Sequence, residues 1–521
     1  ATQDPGLRAL QRFLEKRDAF RDAILRAAPA TPGKRGAADT PWVWNADEVI
    51  AFGLAGEVER IDERDAVAAW WRARCAGRAA QSTRTARCLV TVEMAPQHLE
   101  PHPKLKGVPE GQSSGTALIS YNCNAFETFG RTDTDPVSHA GAEGYTRAIN
   151  WLLEREGEQR FRQGVLLDPG TVVVFWTRED NAVVTSLTAF GSGLFDFDEP
   201  EATEATEATE ATGAAAPGPA KKKARKHVTP DTMRRTVEGP WRGIPQESTD
   251  PTDFFAMTLS GNAARVVVRD WMTATAGEIK SRLGQWFADL AVAGSEDLPM
   301  PLRVVLQALQ TLPDASDNKG DLPPDLATRL FRCALTGAPL PRTVLVRAVQ
   351  RFRYVDPAGR GRRMVYRAAV VRCALNRDRR VRGEREIAVA LDKTNVEVPY
   401  LLGRLFALLE HQQLRASGRG NDLNASIRDR YFGAASATPA LVFPRLLSLS
   451  VHHASKLARE GDTWLERDKS EVMGLLPARP FPATLGLDAQ GLFAIGYYHQ
   501  RQERFVKRGE AASQGETAQE T

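Results

Sequence analysis

The sequence predicts an α+β protein with a mixed α/β N-terminal region, a helical middle region and a C-terminal all-α helical bundle. Three observations lead there. Up to residue 195 helical periodicity alternates with short β-branched runs, of which TVVVFWT at 171–177 is the clearest; the composition then collapses into a Glu-Ala-Thr repeat; and beyond residue 398 apolar stripes at helical spacing follow one another with short connections. At 521 residues, 42% apolar and 26% charged, the chain can bury more than one core. It holds no apolar run long enough for a membrane span and no signal peptide, and it begins with Ala1 instead of Met, so a preceding segment is expected.

Residues 1–195 form the expected N-terminal domain, with amphipathic helices over 11–28 and 64–78, a short strand or loop at 41–45, strands at 88–92 and 116–121, a helix over 144–156 and the buried strand 171–177. Residues 196–231 read as a disordered linker, because a repeated Glu-Ala-Thr tract followed by a Lys/Arg cluster cannot offset the entropy of ordering. The middle region, 232–398, begins with a strand at 254–259 and a helix or strand over 263–271 bearing Arg265 and Arg269, spaced by four as on one helix face. Helices are expected at 278–290, 302–309, 322–336 and 341–353, punctuated by Pro and Gly. The bundle, 399–507, opens with Pro399 at a first helical position; further helices pass through Ile427 and Tyr431, through 439–459 with Pro444 near its start, and through Phe493, Tyr497 and Tyr498, before a polar tail at 508–521.

The net charge of +4 hides a local excess, since residues 342–385 hold fourteen arginines, no lysine and three acids, a balance of +11. Such a run points to a polyphosphate surface, with a solvated helical face as the alternative. Five scattered cysteines without a C-x-x-C pair suggest reduced, packed thiols, and Cys and His never recur at zinc-ligand spacing, so no metal is expected.

The most informative stretch is HPKLKGVPEGQSSGTALISYNCNAFETFG at 102–130. Lys104 and Lys106 precede a turn in which Gln112, Ser113 and Ser114 lie between Gly111 and Gly115, a pattern suited to close backbone approach to a polyanion. The same five residues match a hydrolase nucleophile elbow centred on Ser113. An elbow needs a strand before the serine and a helix after it, whereas here a Pro/Gly-rich loop precedes and an extended run follows. No phosphate-binding loop of the Walker type and no two-metal carboxylate cluster is present, Asp133 and Asp135 reading as turn residues.

HPKLKGV, GQSSGTALISYNCNAFETFG, FFAMTLSGNAARVVVRDWM, YLLGRLFALLEHQQ, NASIRDRYFGAASATPALVFPRLLSLSVHHASKL and QGLFAIGYYHQR together resemble the large subunit of the type I-C CRISPR Cascade complex, an RNA-guided DNA surveillance assembly, over nearly the whole chain. The resemblance implies a cytoplasmic subunit without catalysis or cofactor of its own. It would recognise the short motif flanking the target (the PAM), help open the duplex, stabilise the R-loop and dock the helicase-nuclease. Its implied partners are crRNA, target double-stranded DNA, the backbone subunits, the crRNA 5′-handle subunit and the small subunit, and no membrane. The segment from about Val398 onward corresponds to the small subunit that the family also makes separately. Val92 stands where a glycine is expected between Thr91 and Glu93, and the family's further N-terminal segment is lacking.

By position in the stretch, Lys104, Lys106, Gln112, Ser113, Ser114, Asn122 and Asn124 are expected to form the flanking-motif surface, read by base edges and phosphates. Arg265, Arg269, Arg428 and Arg430 are candidates for backbone or displaced-strand contacts, against pairing with Asp270 and Asp429. Two other readings stay open: a serine hydrolase using Ser113, and a purely structural scaffold.

Overall fold

The computed structural model describes residues 4–16, 51–79, 85–96, 102–120, 137–155, 161–191, 250–295, 300–310, 322–353, 362–418, 426–459 and 464–517. The expected linker at 196–231, the short element at 41–45, Asp133, Asp135, Asn122 and Asn124 lie outside them. The fold is mixed α/β, and by contact it divides into two compact units: residues 1–103 with 119–148, and residues 104–118 with 149–521.

In the first unit, helix α1 (Pro5–Glu15) starts at Asp4, whose side chain accepts from the Leu7 amide at 3.0 Å, with Pro5 at the first helical position. Asp4 also pairs with Arg64 at 2.9 Å, just before α2 (Asp65–Ala79). The expected strand at 88–92 is instead a turn joining β1 (Thr85–Arg87) to β2 (Met94–Pro96). Cys88 is buried, and its sulfur accepts from the Ser138 amide at 3.2 Å, the Ser138 hydroxyl at 3.3 Å and the Thr91 amide at 3.4 Å. Burial opposes ionisation of this thiol, but those hydrogen bonds outweigh it and hold its pKa down at about 6. Ser138 in turn begins α3 (His139–Leu152), which starts and ends earlier than expected.

Val92 closes the β1–β2 turn with φ of 63°, a left-handed conformation that a β-branched residue tolerates poorly. This accounts for the glycine expected there. Val92→Gly is expected to stabilise the protein by about 0.5–1 kcal/mol, the relief of left-handed strain less glycine's extra unfolded-state entropy. A urea midpoint that falls instead of rising contradicts this.

The second unit is built on an antiparallel four-stranded sheet in the order β3 (Gly164–Asp168), β4 (Thr171–Thr177), β5 (Asp253–Asn262), β6 (Arg265–Thr275). The ambiguous run after Gly261 is thus a strand, and helical spacing of its arginines does not apply. Since β3 and β4 precede residues 196–231 and β5 and β6 follow them, the expected division there separates strands that hydrogen-bond to one another, Trp176 facing Phe255 across the ladder. Val165, Leu167, Val173, Phe175, Phe254 and Ala256 turn one sheet face into the core, where α4 (Ala182–Gly191) and α5 (Ala276–Leu290) cover it.

The helical part continues with α6 (Leu302–Leu309), α7 (Leu326–Thr336), α8 (Arg342–Phe352), α9 (Arg362–Arg382), α10 (Val398–Ala416), α11 (Ile427–Ala437), α12 (Pro439–Arg459), α13 (Trp464–Gly474) and α14 (Leu487–Thr517). One continuous apolar core joins the sheet, α5–α9 and the bundle, so residues 399–507 do not form a core of their own. Helix α14 continues into the expected polar tail as far as Thr517. At its centre Phe352, Phe406, Phe432, Phe493 and Tyr497 pack with ring centroids 5.2–6.3 Å apart.

Candidate nucleic-acid interface

Residues 104–118 form an irregular loop pinned to the rest of the second unit along its length. At its neck Leu105 and Thr116 exchange both backbone hydrogen bonds at 2.8 Å, and both side chains are buried. Of the expected strand at 116–121, the described residues 116–120 make only isolated bridges, Thr116 with Leu105 and Ala117 with the β5–β6 hairpin. Along that hairpin tip the Gly261 amide donates to Pro109 O at 2.9 Å, the Gln112 amide to Ala263 O at 3.2 Å and the Ala117 amide to Ala264 O at 2.8 Å. Glycine is required where the two backbones meet: a Cβ at Gly261 would lie 2.5 Å from Pro109 O. Gly115 turns the chain with φ of 96°, where a Cβ would meet Lys104 Cβ at 2.8 Å.

Those constraints leave Lys104, Lys106, Gln112, Ser113 and Ser114 exposed on a fixed backbone. Lys104 Nζ donates to Ser114 Oγ at 3.3 Å, tying the start of the loop to the turn. Asn150, near the end of α3, clamps both lysines through the main chain: its Oδ1 accepts from the Lys106 amide at 2.8 Å and its Nδ2 donates to Lys104 O at 3.3 Å. Next to it, Trp151 is 47% exposed and stacks under the Arg162 guanidinium, 4.9 Å from the ring centroid, while Arg162 also pairs with Glu154 at 2.9 Å. Sequence reasoning missed Asn150, Trp151 and Arg162; the one available signal was an asparagine in the middle of the helix expected over 144–156, where its propensity is poor.

Ser113 lies in a hydrogen-bonded turn whose flanking residues make isolated bridges, and the described residues that follow it, 114–120, hold no helix. The strand–turn–helix geometry of a nucleophile elbow is therefore not formed. What the loop offers instead is two ammonium groups, two hydroxyls and an amide, donors suited to phosphate oxygens and base edges.

The four arginines do not come together. Arg265 is exposed at the hairpin tip beside the loop, and Arg269 occupies a β-bulge, with its Nε donating to Ser260 Oγ at 2.8 Å. Asp270 pairs with Arg332 at 3.4 Å and Asp429 caps α11 through Ser426, so neither serves the expected partners. Arg428, expected to contact nucleic acid, is instead enclosed: it is 6% exposed, donates to Phe352 O at 3.3 Å and lies over the Tyr497 ring at 5.4 Å. Arg430 is exposed on α11.

Much of the described arginine run is spent inside the fold, although Arg342, Arg382 and Arg385 are exposed. Arg372 donates to the carbonyls of Ala288, Asp289 and Ala291 at 2.9–3.0 Å, capping the end of α5, and to those of Ile387 and Ala388 at 3.0 Å. Arg377 reaches Asp289 at 2.8 Å and the carbonyls of Cys333 and Ala338 at 2.8 Å, past the end of α7. Arg379 grips Glu397 at 2.9 and 2.7 Å, and Arg380 grips both Asp289 and Glu386. Guanidinium forks are used here to satisfy helix-end carbonyls inside the fold.

Among the described residues no group of His, Cys, Asp and Glu could hold a metal ion, and no helix is long and apolar enough to cross a membrane. The family described as "CRISPR-associated protein (Cas_Csd1)" matches residues 1–505. No curated protein matches the chain.

Proposed function

The chain belongs to the Csd1 family of CRISPR-associated proteins, the large subunits of type I-C Cascade, and from that premise we propose that the 104–118 loop is its DNA-reading edge. Membership implies assembly with crRNA and other Cascade components. In the proposed role the subunit performs no catalysis. Base pairing to the guide reads the target, while this loop reads the flanking duplex and helps open it; stabilising the displaced strand and docking a helicase-nuclease belong to the same role, in the cytoplasm.

One observation carries the reading: a loop fixed by glycine contacts, a buried neck and the Asn150 clamp nevertheless exposes its two lysines and three polar side chains. Rigidity of this kind is what a recognition surface needs, since groups already held in place lose little entropy on binding. Lys104→Glu with Lys106→Glu, in the assembled complex, is expected to weaken target-duplex binding at least tenfold. A gel shift against a randomised flanking library measures it. Unchanged binding contradicts the placement and favours a scaffold.

A further inference from the structure

The sheet of the second unit has two faces, and only one is turned into the main core. On the other, the loop covers one end: residues Pro109–Gly111 close on Gly261, whose absent side chain makes room for them. Val174 and Met257 on that face are still buried, but toward the opposite end of β5, six residues and so about 20 Å along the strand from Gly261, the described side chains become half-buried or exposed. There Trp176, Phe255 and Trp271 form a contiguous aromatic patch. Trp176 and Phe255 are ladder partners and stack with centroids 5.6 Å apart and planes inclined by 22°. Trp271 stands edge-on to Trp176 at 5.6 Å and lies 6.2 Å from Phe255. It is 52% exposed, an unusual state for a tryptophan already packed against two rings.

The surroundings specify the occupant. Alternation along the ladder places Val174, Met257 and Thr273 on the same face, all uncharged. Its carboxylate on β5, Asp253, is already paired at 2.9 Å with Arg178, which follows Trp176 and whose side chain is 72% exposed. Asp270 belongs to the other face and is held by Arg332. An exposed ion pair is worth little, so Arg178 can turn to an incoming phosphate at small cost. Neutral rings on this face thus stand beside an arginine held only by an exposed ion pair. Flat, uncharged and sequence-tolerant stacking surfaces beside cations are how single strands are held.

We propose that Trp176, Phe255 and Trp271 are a stacking platform for unpaired bases of single-stranded nucleic acid, with Trp271 as the residue a base meets. This rests on the reading of the chain as nucleic-acid-binding, but on residues distinct from the loop, and its failure is separable. Duplex binding answers to Lys104 and Lys106; single-strand binding answers to Trp271.

The test uses the full chain with fluorescein-labelled oligothymidine and, in parallel, a labelled duplex, comparing Trp271→Ala with Trp271→Phe. The expected result is roughly tenfold weaker oligothymidine binding for the alanine variant, as for loss of one stacked base. Trp271→Phe keeps affinity within about twofold because it retains a ring, and duplex affinity changes in neither variant because both retain the loop. The proposal is overturned if the unaltered chain binds no oligothymidine, if Trp271→Ala binds it equally well, or if phenylalanine loses as much as alanine. Release of another subunit from the assembled complex by Trp271→Ala, with oligothymidine affinity intact, also overturns it and assigns the patch to a protein.

Discussion

Replacing Asp289 by alanine is expected to cost about 3–5 kcal/mol of folding stability, enough to unfold a marginal protein. Asp289 and Arg377 are each 1% exposed and 2.8 Å apart, and Arg380 reaches the second carboxylate oxygen at 2.7 Å. Without Asp289, Arg377 keeps its two carbonyl partners but stays charged and buried beside the Trp286 ring, with no counter-charge and no route to water. A buried unpaired charge costs far more than the pair contributes when intact. The comparison is Arg382→Ala, whose exposed partner is Glu384 and whose loss should stay within about 0.5 kcal/mol. Urea unfolding monitored by tryptophan fluorescence measures both. A loss below about 1 kcal/mol for Asp289→Ala would mean that the α5–α9 junction admits water.

Gly403→Ala is expected to destabilise by about 2–3 kcal/mol despite alanine's better helix propensity. The intrinsic gain is near 1 kcal/mol. Against it, an added Cβ on α10 would lie 2.7 Å from the Tyr497 amide nitrogen and 2.9 Å from the Phe493 carbonyl carbon, both backbone atoms of α14. The crossing is reciprocal, since a Cβ at Gly496 would lie 2.9 Å from the Tyr400 carbonyl carbon. Backbones cannot yield as a flexible side chain would, so the helices must separate and loosen the buried Phe406, Phe493 and Tyr497 cluster. A drop in thermal midpoint with unchanged helical circular dichroism at low temperature is the expected signature. An increase in stability would show that the crossing is wider.

The sequence made the fold legible where one physical signal dominated. The β-branched run at 171–177 and the proline-led helix at 439–459 coincide with β4 and α12, and 302–309 with α6. Helix α9 was read at most as a solvated helical face, because its middle, including Ala368–Val371 and Cys373–Leu375, is buried on all sides and shows no amphipathic stripe. Its arginines looked like a surface because no local pattern distinguishes a guanidinium bound to distant helix-end carbonyls from one in solvent. The sheet eluded the domain boundaries because strand pairing across 196–231 leaves no local mark.

The candidate site was half legible. Lys104, Lys106 and the Gly111–Gly115 turn announced themselves by residue type, and the structure leaves them exposed. Asn150, Trp151 and Arg162 joined them through contacts that spacing does not encode, while Arg428 resembled a surface cation only until the aromatic cluster enclosed it.

The salt dependence of target-duplex binding by the assembled complex tests the central claim most directly. If Lys104 and Lys106 contact phosphates, replacing both with alanine lowers the slope of log affinity against log salt by about 1.8, two contacts at roughly 0.9 each. A slope identical to that of the unaltered complex would contradict the placement of DNA on this loop.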